Sequence, residues 1–319
     1  MSTWLLTGGA GYIGAHVLRA LQESGRRVVV IDNLSTGVRG RIPDDVDFIQ
    51  ADVCDAQAVA SVLHDFAVDG VIHLAAKKAV GESMEQPLFY YRENVLGCLS
   101  LLEAMRDVGT SRLVYSSSAA VYGEPPWSPI REETPCAPLS PYGETKLIGE
   151  WLVCDAAAAW REDRPLSWTA LRYFNVAGAG SPELRDTSVN NLIPMVFEAL
   201  ERGEAPQVFG TDYPTPDGSC IRDYIHVSDL ADAHVAAAQF CEDTVAAEVF
   251  NVGRGDGASV WEVMAAVSEV VGVDIGAQAA PRRPGDPPEL VASAERIEGI
   301  LGWNAHRDLL SMVASARPS

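Results

Sequence analysis

The sequence predicts an α/β fold: a doubly wound parallel sheet of the Rossmann type with a second, smaller α/β lobe. Over the first 176 residues, short β-rich apolar runs alternate with helical stretches, and a glycine-rich turn follows the first run. After Val176 this alternation breaks into loops and short strands. Strands joined by helical crossovers pair in parallel, with helices on both faces of the sheet. The break therefore marks the start of the second lobe.

Each element of the first lobe has its own signal. Apolar, β-branched runs predict strands at 4–7, 27–32, 47–52, 70–76, 112–118 and 167–176. Helices are predicted at 12–24, 56–66, 91–108 and 141–161. Asp55 is a good N-cap, and Gly25 and Gly109 are good stop residues. Farther on, we predict strands at 208–210, 221–227 and 248–252, and a helix at 259–271.

Composition limits the classes of function. The chain has 319 residues, of which 47% are hydrophobic, and a formal net charge of −20. Such a charge repels nucleic acid and anionic membrane surfaces, so neither is expected as a partner. No apolar run approaches the length of a membrane span, and the first residues lead into a glycine turn, so we expect a cytoplasmic protein. Six scattered cysteines without a C-x-x-C pair indicate neither a disulfide framework nor a metal site.

The glycine-rich turn predicts a dinucleotide site. Gly8, Gly11 and Gly14 lie three residues apart, with Tyr12 and Ile13 opening the first helix. Glycine lets backbone N–H groups approach a pyrophosphate, although the same pattern can be no more than a tight strand-to-helix turn.

Two acids at strand ends refine that prediction. Asp32 ends the second strand, where a carboxylate accepts hydrogen bonds from the adenosine ribose. Asn33 follows it and no arginine comes next, which favours NAD over NADP. Asp52 and Val53 are candidates for contact with adenine, and the alternative is that Asp52 only caps a turn.

Tyr142 and Lys146 are the candidate catalytic pair. Ser140-Pro141 opens a helix, and the four-residue spacing places both side chains on one face. An ammonium group near a phenol lowers the phenol's pKa, so Tyr142 could act as a base. With the strand-end hydroxyl of Ser118, such a set can take a proton from a secondary alcohol while a nicotinamide takes the hydride. The alternatives are a solvated helix face and an ordinary polar strand end.

Longer motifs resemble one family over residues 3 to about 305. They are Ala79-Val80-Gly81-Glu82-Ser83, Ser116-Ser117-Ser118-Ala119-Ala120-Val121-Tyr122-Gly123, Leu171-Arg172-Tyr173-Phe174-Asn175, Asn190-Asn191-Leu192-Ile193-Pro194, and the 209–230 segment with Asp217-Gly218-Ser219-Cys220-Ile221-Arg222-Asp223-Tyr224-Ile225-His226-Val227. On these motifs the chain resembles the extended short-chain dehydrogenase/reductase family. The resemblance implies a dinucleotide-binding domain over 1–176 with 221–253 returning to it. It implies a nucleotide-sugar-binding domain over 177–220 and 254–319.

The resemblance also implies roles for residues. It implies that Tyr142 is the base, that Lys146 lowers its pKa and holds the nicotinamide ribose, and that Ser118 lies beside the sugar O4. Lys78 and Asn94 match residues that hold the cofactor. The positions that match the nucleotide-sugar site are Tyr173, Asn175, Asn190, Asn191, Leu192, Phe209, Arg222, Arg283, Asp286 and Leu290, with the two arginines expected on the diphosphate.

Three residues depart from the family's pattern. Ala120 stands where the family usually has Thr, so one hydroxyl near the sugar is missing. Lys77 replaces an apolar neighbour of Lys78. Leu290 falls where many bacterial members carry Tyr, a bulky residue that excludes N-acetylated sugars, so we expect slow turnover of UDP-N-acetylglucosamine.

The activity implied by the resemblance is interconversion of UDP-glucose and UDP-galactose by transient oxidation at C4, with tightly held NAD. A UDP-hexose is the expected substrate, no metal is expected, and a homodimer is expected through the helices at 91–108 and 141–161. One alternative is a nucleotide-sugar 4,6-dehydratase, although Ala119 and Ala120 stand where such enzymes carry Asp and Glu. The other is a non-catalytic NAD-sensing protein, which would be expected to have lost Tyr142 or Lys146.

Overall fold

The computed structural model describes residues 1–162, 164–188, 190–283 and 286–318. These residues form two compact units. The first unit comprises Met1–Gly123, Pro135–Tyr173 and Ala231–Phe250. The second comprises Glu124–Thr134, Phe174–Leu230 and Asn251–Ser319.

The strands follow the chain from β1 to β13. Their bounds are β1 (Thr3–Thr7), β2 (Arg27–Asp32), β3 (Asp47–Gln50), β4 (Gly70–His73), β5 (Arg112–Ser118), β6 (Ser167–Tyr173), β7 (Asn175–Ala177), β8 (Gln207–Phe209), β9 (Ile221–His226), β10 (Ala247–Val252), β11 (Gly257–Ser259), β12 (Gln278–Ala280) and β13 (Glu289–Leu290).

The helices are numbered in the same way. Their bounds are α1 (Tyr12–Glu23), α2 (Ala56–Asp65), α3 (Val80–Glu85), α4 (Pro87–Tyr90), α5 (Gly97–Val108), α6 (Pro141–Trp160), α7 (Leu192–Glu201), α8 (Val227–Asp243), α9 (Val260–Val271), α10 (Glu295–Leu301) and α11 (Leu309–Ala316). A π-helical segment, Tyr91–Leu96, joins α4 to α5.

The first unit is built on one large sheet. Its strand order among the described residues is β10-β6-β5-β4-β1-β2-β3, and the neighbours from β6 to β3 all pair in parallel. The core of this unit packs α2, α5 and α6 against the sheet. Parallel pairing brings the carboxyl ends of β1, β2, β4 and β5 to one edge, which is where open α/β sheets bind ligands. The predicted doubly wound fold is confirmed.

The second unit has small sheets of its own. Strand β9 pairs with β7 and β13 in parallel and with β11 antiparallel, and β8 pairs with β12 in parallel. A separate apolar core packs α7, α9 and α11 around Val208 and Tyr224. Helix α9 begins with a capping box, in which Ser259 and Glu262 satisfy each other's backbone N–H groups.

The division of the chain differs from the predicted boundaries. The predicted strand at 167–176 splits at Phe174, because β6 joins the large sheet whereas β7 pairs with β9. The segment 221–230 lies in the second unit for the same reason, so that only 231–250 of the predicted return belongs to the first unit. Residues 124–134 also belong to the second unit, where Ile130 bridges to Ala292.

Candidate active site

The glycine turn has the shape that a pyrophosphate requires. Gly8 has a positive φ of 73°, and a Cβ there would lie 2.8 Å from the backbone nitrogen of Ala75. A Cβ on Gly14 would lie 2.2 Å from the Gly8 carbonyl oxygen. Gly11 is the residue before α1 and has no side chain that could cap the first turn, and the N-terminus of a helix attracts an anion. These observations fit a dinucleotide at this turn.

Asp32 is fixed at the end of β2. Its buried carboxylate accepts the backbone N–H of Ala10 at 3.0 Å and that of Leu34 at 2.8 Å. Both bonds come from loops at the carboxyl edge of the sheet, so the carboxylate is held beside the glycine turn. The structure therefore places Asp32 beside the glycine turn, and its contact with a ribose stays a prediction.

A second polar pair lies next to it at the end of β3. The Asn33 side chain donates to Asp52 at 2.9 Å, and the Cys54 N–H donates to the other Asp52 oxygen at 2.8 Å. Burial raises the pKa of Asp52, but these bonds and the charge of Lys77 outweigh burial and lower it. Val53 is buried against Gly97. Asn33 and Asp52 thus form one polar pair, whereas Val53 packs in the apolar core, and an adenine contact by these residues stays a prediction.

Asn94 lies in the π-helical segment, and its buried amide is engaged within the protein. Its oxygen accepts the Lys77 N–H at 2.8 Å, and its nitrogen donates to the Lys77 carbonyl and to Thr145 Oγ1, each at 3.0 Å. Asn94 therefore ties the loop after β4 to α6. The next residue in that loop, Lys78, has an exposed side chain. Asn94 thus positions this loop, and its contact with a cofactor stays a prediction.

Tyr142 lies in the first turn of α6, which Ser140 caps by accepting the Gly143 N–H at 3.2 Å. A Cβ on Gly143 would lie 2.6 Å from the Ala120 carbonyl oxygen, so glycine allows this turn to approach the segment after β5 closely. There the Ser118 hydroxyl lies close enough to the Tyr142 phenol to affect its pKa. Burial raises the pKa of Tyr142 and outweighs the lowering effect of Ser118.

Lys146 has a buried ammonium that is held at the end of β5. It donates to the Ser116 carbonyl at 2.8 Å and to Ser116 Oγ at 3.3 Å. Burial lowers the pKa of Lys146 to about 8. That Lys146 lowers the pKa of Tyr142 stays a prediction.

Tyr173 belongs to the same buried group. Its hydroxyl bonds to Ser116 Oγ, and its ring lies 5.7 Å from that of His234. Burial raises the pKa of Tyr173. Tyr173 and Lys146 thus share the Ser116 hydroxyl, and a contact of Tyr173 with a substrate stays a prediction.

The second unit contains an open cleft of about 840 Å³, its mouth included. Most of the predicted substrate residues line it, although they come from five separate segments of the chain. They are Asn175, Asn190, Asn191, Leu192, Phe209, Arg222, Arg283 and Asp286. Leu290 is half-buried beside Arg222 in the pairing of β13 with β9, and it is not among the described residues that line the cleft.

Two arginines supply the positive charge of this cleft. The buried Arg222 guanidinium donates to Asp286 at 2.9 Å and to its neighbour Ile221's carbonyl at 2.8 Å. The exposed Arg283 guanidinium lies over the Phe209 ring, 4.0 Å from its centre. A planar cation on an aromatic ring, next to a buried second arginine, fits a ligand that combines a base with a diphosphate.

Several lining residues were not predicted from the sequence. Gln207, Tyr224 and Val260 also line the cleft. Gln207 and Tyr224 stand within two residues of the predicted Phe209 and Arg222, and on a strand every second residue faces the same side. The two-residue period of the strands could therefore have predicted Gln207 and Tyr224. No sequence signal could have predicted Val260, because α9 reaches the cleft only through the tertiary fold.

Comparison with known proteins identifies the class. The model of the family described as "NAD dependent epimerase/dehydratase family" matches residues 4–253 of this chain. The chain therefore belongs to this family. The resemblance to the extended short-chain dehydrogenases/reductases is thereby confirmed.

Within this family, the chain is similar to several UDP-glucose 4-epimerases. The chain is 47% identical to the UDP-glucose 4-epimerase of Azospirillum brasilense over 310 residues, covering 96% of this chain and 88% of that protein. It is similar to a UDP-glucose 4-epimerase from Stenotrophomonas maltophila with bound NAD and formylated UDP-arabinopyranose, with a TM-score of 0.94, 39% identity, and coverage of 99% and 97% of the two chains. It also resembles the UDP-Glc/GlcNAc 4-epimerase of Campylobacter jejuni, with a TM-score of 0.88, 39% identity, and coverage of 99% and 98%.

Over the ranges that the structure describes, no helix has both the length and the apolar character needed to cross a membrane.

Proposed function

We propose that this protein interconverts UDP-glucose and UDP-galactose by transient oxidation at C4, with NAD as a resident cofactor. The observation that carries the proposal is the closeness of the Ser118 hydroxyl to the Tyr142 phenol at the carboxyl edge of the sheet that bears the glycine turn. The identity to UDP-glucose 4-epimerases over nearly the whole chain supports it.

The first unit supplies the residues that would hold NAD. The turn at Gly8, Gly11 and Gly14 fits the pyrophosphate, and Asp32 fits a ribose hydroxyl, where its charge disfavours the 2′-phosphate of NADP. When bound at this edge, NAD would accept a hydride from one carbon of the sugar and return it to the same carbon.

Tyr142 and Ser118 would move and hold the proton. The phenolate of Tyr142 takes the proton of the sugar O4 hydroxyl, and the Ser118 hydroxyl stabilises that phenolate by donating to it. Lys146, held by Ser116, presents a buried ammonium for a ribose hydroxyl. Tyr142 then returns the proton to O4 when the opposite epimer forms.

The second unit would bind the nucleotide. Arg222 and Arg283 neutralise the diphosphate locally, which the net charge of −20 makes necessary. Asn175 and Asn190 are exposed at the cleft and can donate to sugar or phosphate oxygens. Binding here requires Arg222 to share its guanidinium between Asp286 and the ligand.

The test is incubation of the purified protein with UDP-galactose and no added cofactor, followed by product analysis. We expect UDP-glucose, and denaturation of the protein should release NAD rather than NADP. A 4-keto-6-deoxy product would instead show a dehydratase. No product from a protein that retains NAD would favour the non-catalytic NAD-sensing alternative.

The residue at 290 supports a second substrate, although Leu290 borders the cleft residue Arg222 and is not among the described residues that line the cleft. Leu290 lacks the bulk of tyrosine, and the similar Campylobacter jejuni protein is described as acting on both kinds of sugar. We therefore propose slower turnover of UDP-N-acetylglucosamine. Comparing the wild type with Leu290→Tyr on both substrates tests this, because the substitution should abolish only the N-acetylated activity. Equal use of the N-acetylated sugar by both proteins would refute a gate at this position.

We propose a homodimer through the face formed by Leu96, Leu99 and Trp151. Their side chains are exposed on the π-helical segment, on α5 and on α6. Trp151→Glu should convert the dimer to a monomer in sedimentation analysis, because the substitution places a charge in an apolar interface. Trp127→Glu is the matched control, since Trp127 is equally exposed but lies in the loop of the second unit.

We also propose a cytoplasmic location. All six cysteines are free thiols, which fits a reducing compartment. Fractionation of the producing cells would test it, and recovery of the protein outside the cytoplasm would contradict it.

A further inference from the structure

A buried carboxylate adjoins the cleft without lining it. Asp223 follows Arg222 on β9 and is fully buried. One of its oxygens accepts the Arg254 N–H at 2.8 Å, and the other accepts the N–H groups of Gly255 at 3.0 Å and Ala292 at 3.1 Å. Asp223 therefore joins two segments, distant in sequence, to the strand that carries Arg222.

One of those segments carries cleft residues. The segment 286–292 begins with Asp286, which bonds to Arg222. Farther along, the Ile221 N–H donates to the Pro288 carbonyl at 2.8 Å. The start of the segment is thus fixed to β9 by one side-chain pair and one backbone bond.

The end of the segment is fixed by Asp223. Leu290 pairs with Arg222 in the parallel ladder of β13 with β9, and two residues later the Ala292 N–H reaches Asp223. A two-residue strand such as β13 contributes little pairing of its own. Backbone bonds of Ile130 to Val291 and Ser293 hold the segment from another side, and the bond from Ala292 to Asp223 fixes it to β9.

From this geometry we infer that Asp223 is a positioning residue of the nucleotide cleft. As a carboxylate, it holds the segment 286–292 against β9, and so keeps Asp286 and Arg222 in the arrangement that binds a nucleoside diphosphate. The inference rests on the function proposed above. Protonation of Asp223 weakens its three accepted hydrogen bonds, because a neutral carboxyl group is a poorer acceptor and must itself place a proton.

The surroundings of Asp223 place this change in an accessible pH range. Burial raises its pKa to about 6, against the lowering effect of the three N–H groups and of the Arg254 charge. The other titratable or charged groups on the elements packed around it are Arg222, Tyr224 and His226 on β9, Asp256 in the following loop, and Asp286 and Glu289 in the adjoining segment.

The test measures the affinity of the NAD-loaded protein for UDP-glucose by calorimetry from pH 7 to pH 5, a range over which the diphosphate of this ligand does not titrate. If only the ionised form positions the segment, the affinity of the wild type falls by about tenfold over this range. Asp223→Asn should already bind at least about tenfold more weakly at pH 7 and show no further loss down to pH 5, with kcat changing less than KM.

Asp229→Asn is the matched control. Asp229 is also buried in the second unit and accepts the backbone N–H groups of His306 and Arg307, but it does not line the cleft. It should keep the affinity and pH dependence of the wild type. The inference is overturned if Asp223→Asn behaves like the wild type, or if both variants lose affinity equally. Absence of UDP-glucose binding to the wild type at every pH would instead overturn the proposed function, and this inference with it.

Discussion

Tyr142 and Ser118 are the residues on which the proposed chemistry depends. Replacing Tyr142 by Phe removes one hydroxyl and keeps the ring that fills the first turn of α6. Loss of a general base lowers rates by roughly 10² to 10⁴-fold, so we expect a fall of that size in kcat with retained NAD. Product formation from UDP-galactose by the variant measures it.

Tyr91→Phe is the control for that experiment. Its hydroxyl also bonds to α6, through Glu144, but it belongs to none of the predicted sites. We expect wild-type kcat for it. Activity of Tyr142→Phe close to that of Tyr91→Phe would contradict the role of Tyr142 as base.

Lys146 gives a pH prediction. Its pKa is lowered to about 8 by burial, so the side chain is an ammonium below that pH and a neutral amine above it. An ammonium donates more strongly to ribose hydroxyls, and the affinity of the cofactor-free protein for NAD should therefore fall as pH rises through about 8. Calorimetric titration with NAD between pH 7 and pH 9 checks this.

Lys146→Met should bind NAD more weakly and without that pH dependence. Lys146→Arg keeps a charge throughout the range, so its affinity should also be independent of pH. A wild-type affinity that stays constant from pH 7 to pH 9 would show that the Lys146 ammonium does not contribute to cofactor binding.

At the scale of elements, α6 depends on close contacts with the sheet. A Cβ on Gly149 would lie 1.9 Å from the Tyr115 hydroxyl oxygen, so glycine lets α6 rest directly on β5. The turn of α6 that contains Glu150 is held to β6 by a buried ion pair, in which the Arg172 guanidinium donates to the Glu150 carboxylate at 2.9 and 2.6 Å. This pair fixes the helix that carries Tyr142 and Lys146.

We predict that Arg172→Met destabilises the protein by about 3 to 5 kcal/mol, because it leaves the Glu150 carboxylate buried without its cation. Thermal unfolding of the NAD-loaded protein measures this as a lower Tm. The double variant Glu150→Leu, Arg172→Met should recover much of the loss, since it buries no charge. A double variant less stable than Arg172→Met would show that the pair itself contributes the stability.

At the scale of the whole molecule, net charge governs the response to salt. A charge of −20 on 319 residues favours expansion of the chain through self-repulsion. Raising the ionic strength from 0.01 to 0.15 M shortens the screening length from about 30 Å to about 8 Å. We therefore expect Tm to rise over this range, equally in NaCl and KCl. A Tm that falls with salt would indicate that attractive ion pairs outweigh the repulsion.

Much of the first unit could be predicted from the sequence because its signals are local. The strands at Arg27–Asp32 and Arg112–Ser118 were predicted with the observed bounds, since each apolar run ends at a polar residue. Helix α7 was missed because it begins inside the loop-rich stretch 178–194. Helix α11 was missed although Asp308, which caps it by accepting the Ser311 N–H, was an available signal. The boundary at Phe174 also escaped prediction, because a continuous β-rich run does not reveal that its two halves pair with different sheets.

The sequence by itself determined the glycine turn, the acid at the end of β2 and the spacing of Tyr142 and Lys146 on one helix face. These depend on backbone freedom and helical period, which act within a few residues of chain. Only the tertiary structure decided that the Lys146 ammonium bonds to Ser116, that Asn94 ties a loop to α6, and that Asn175, Phe209 and Arg222 share one cleft. Those arrangements depend on which side chains meet after strands distant in sequence have paired, and no local pattern of residues specifies that meeting.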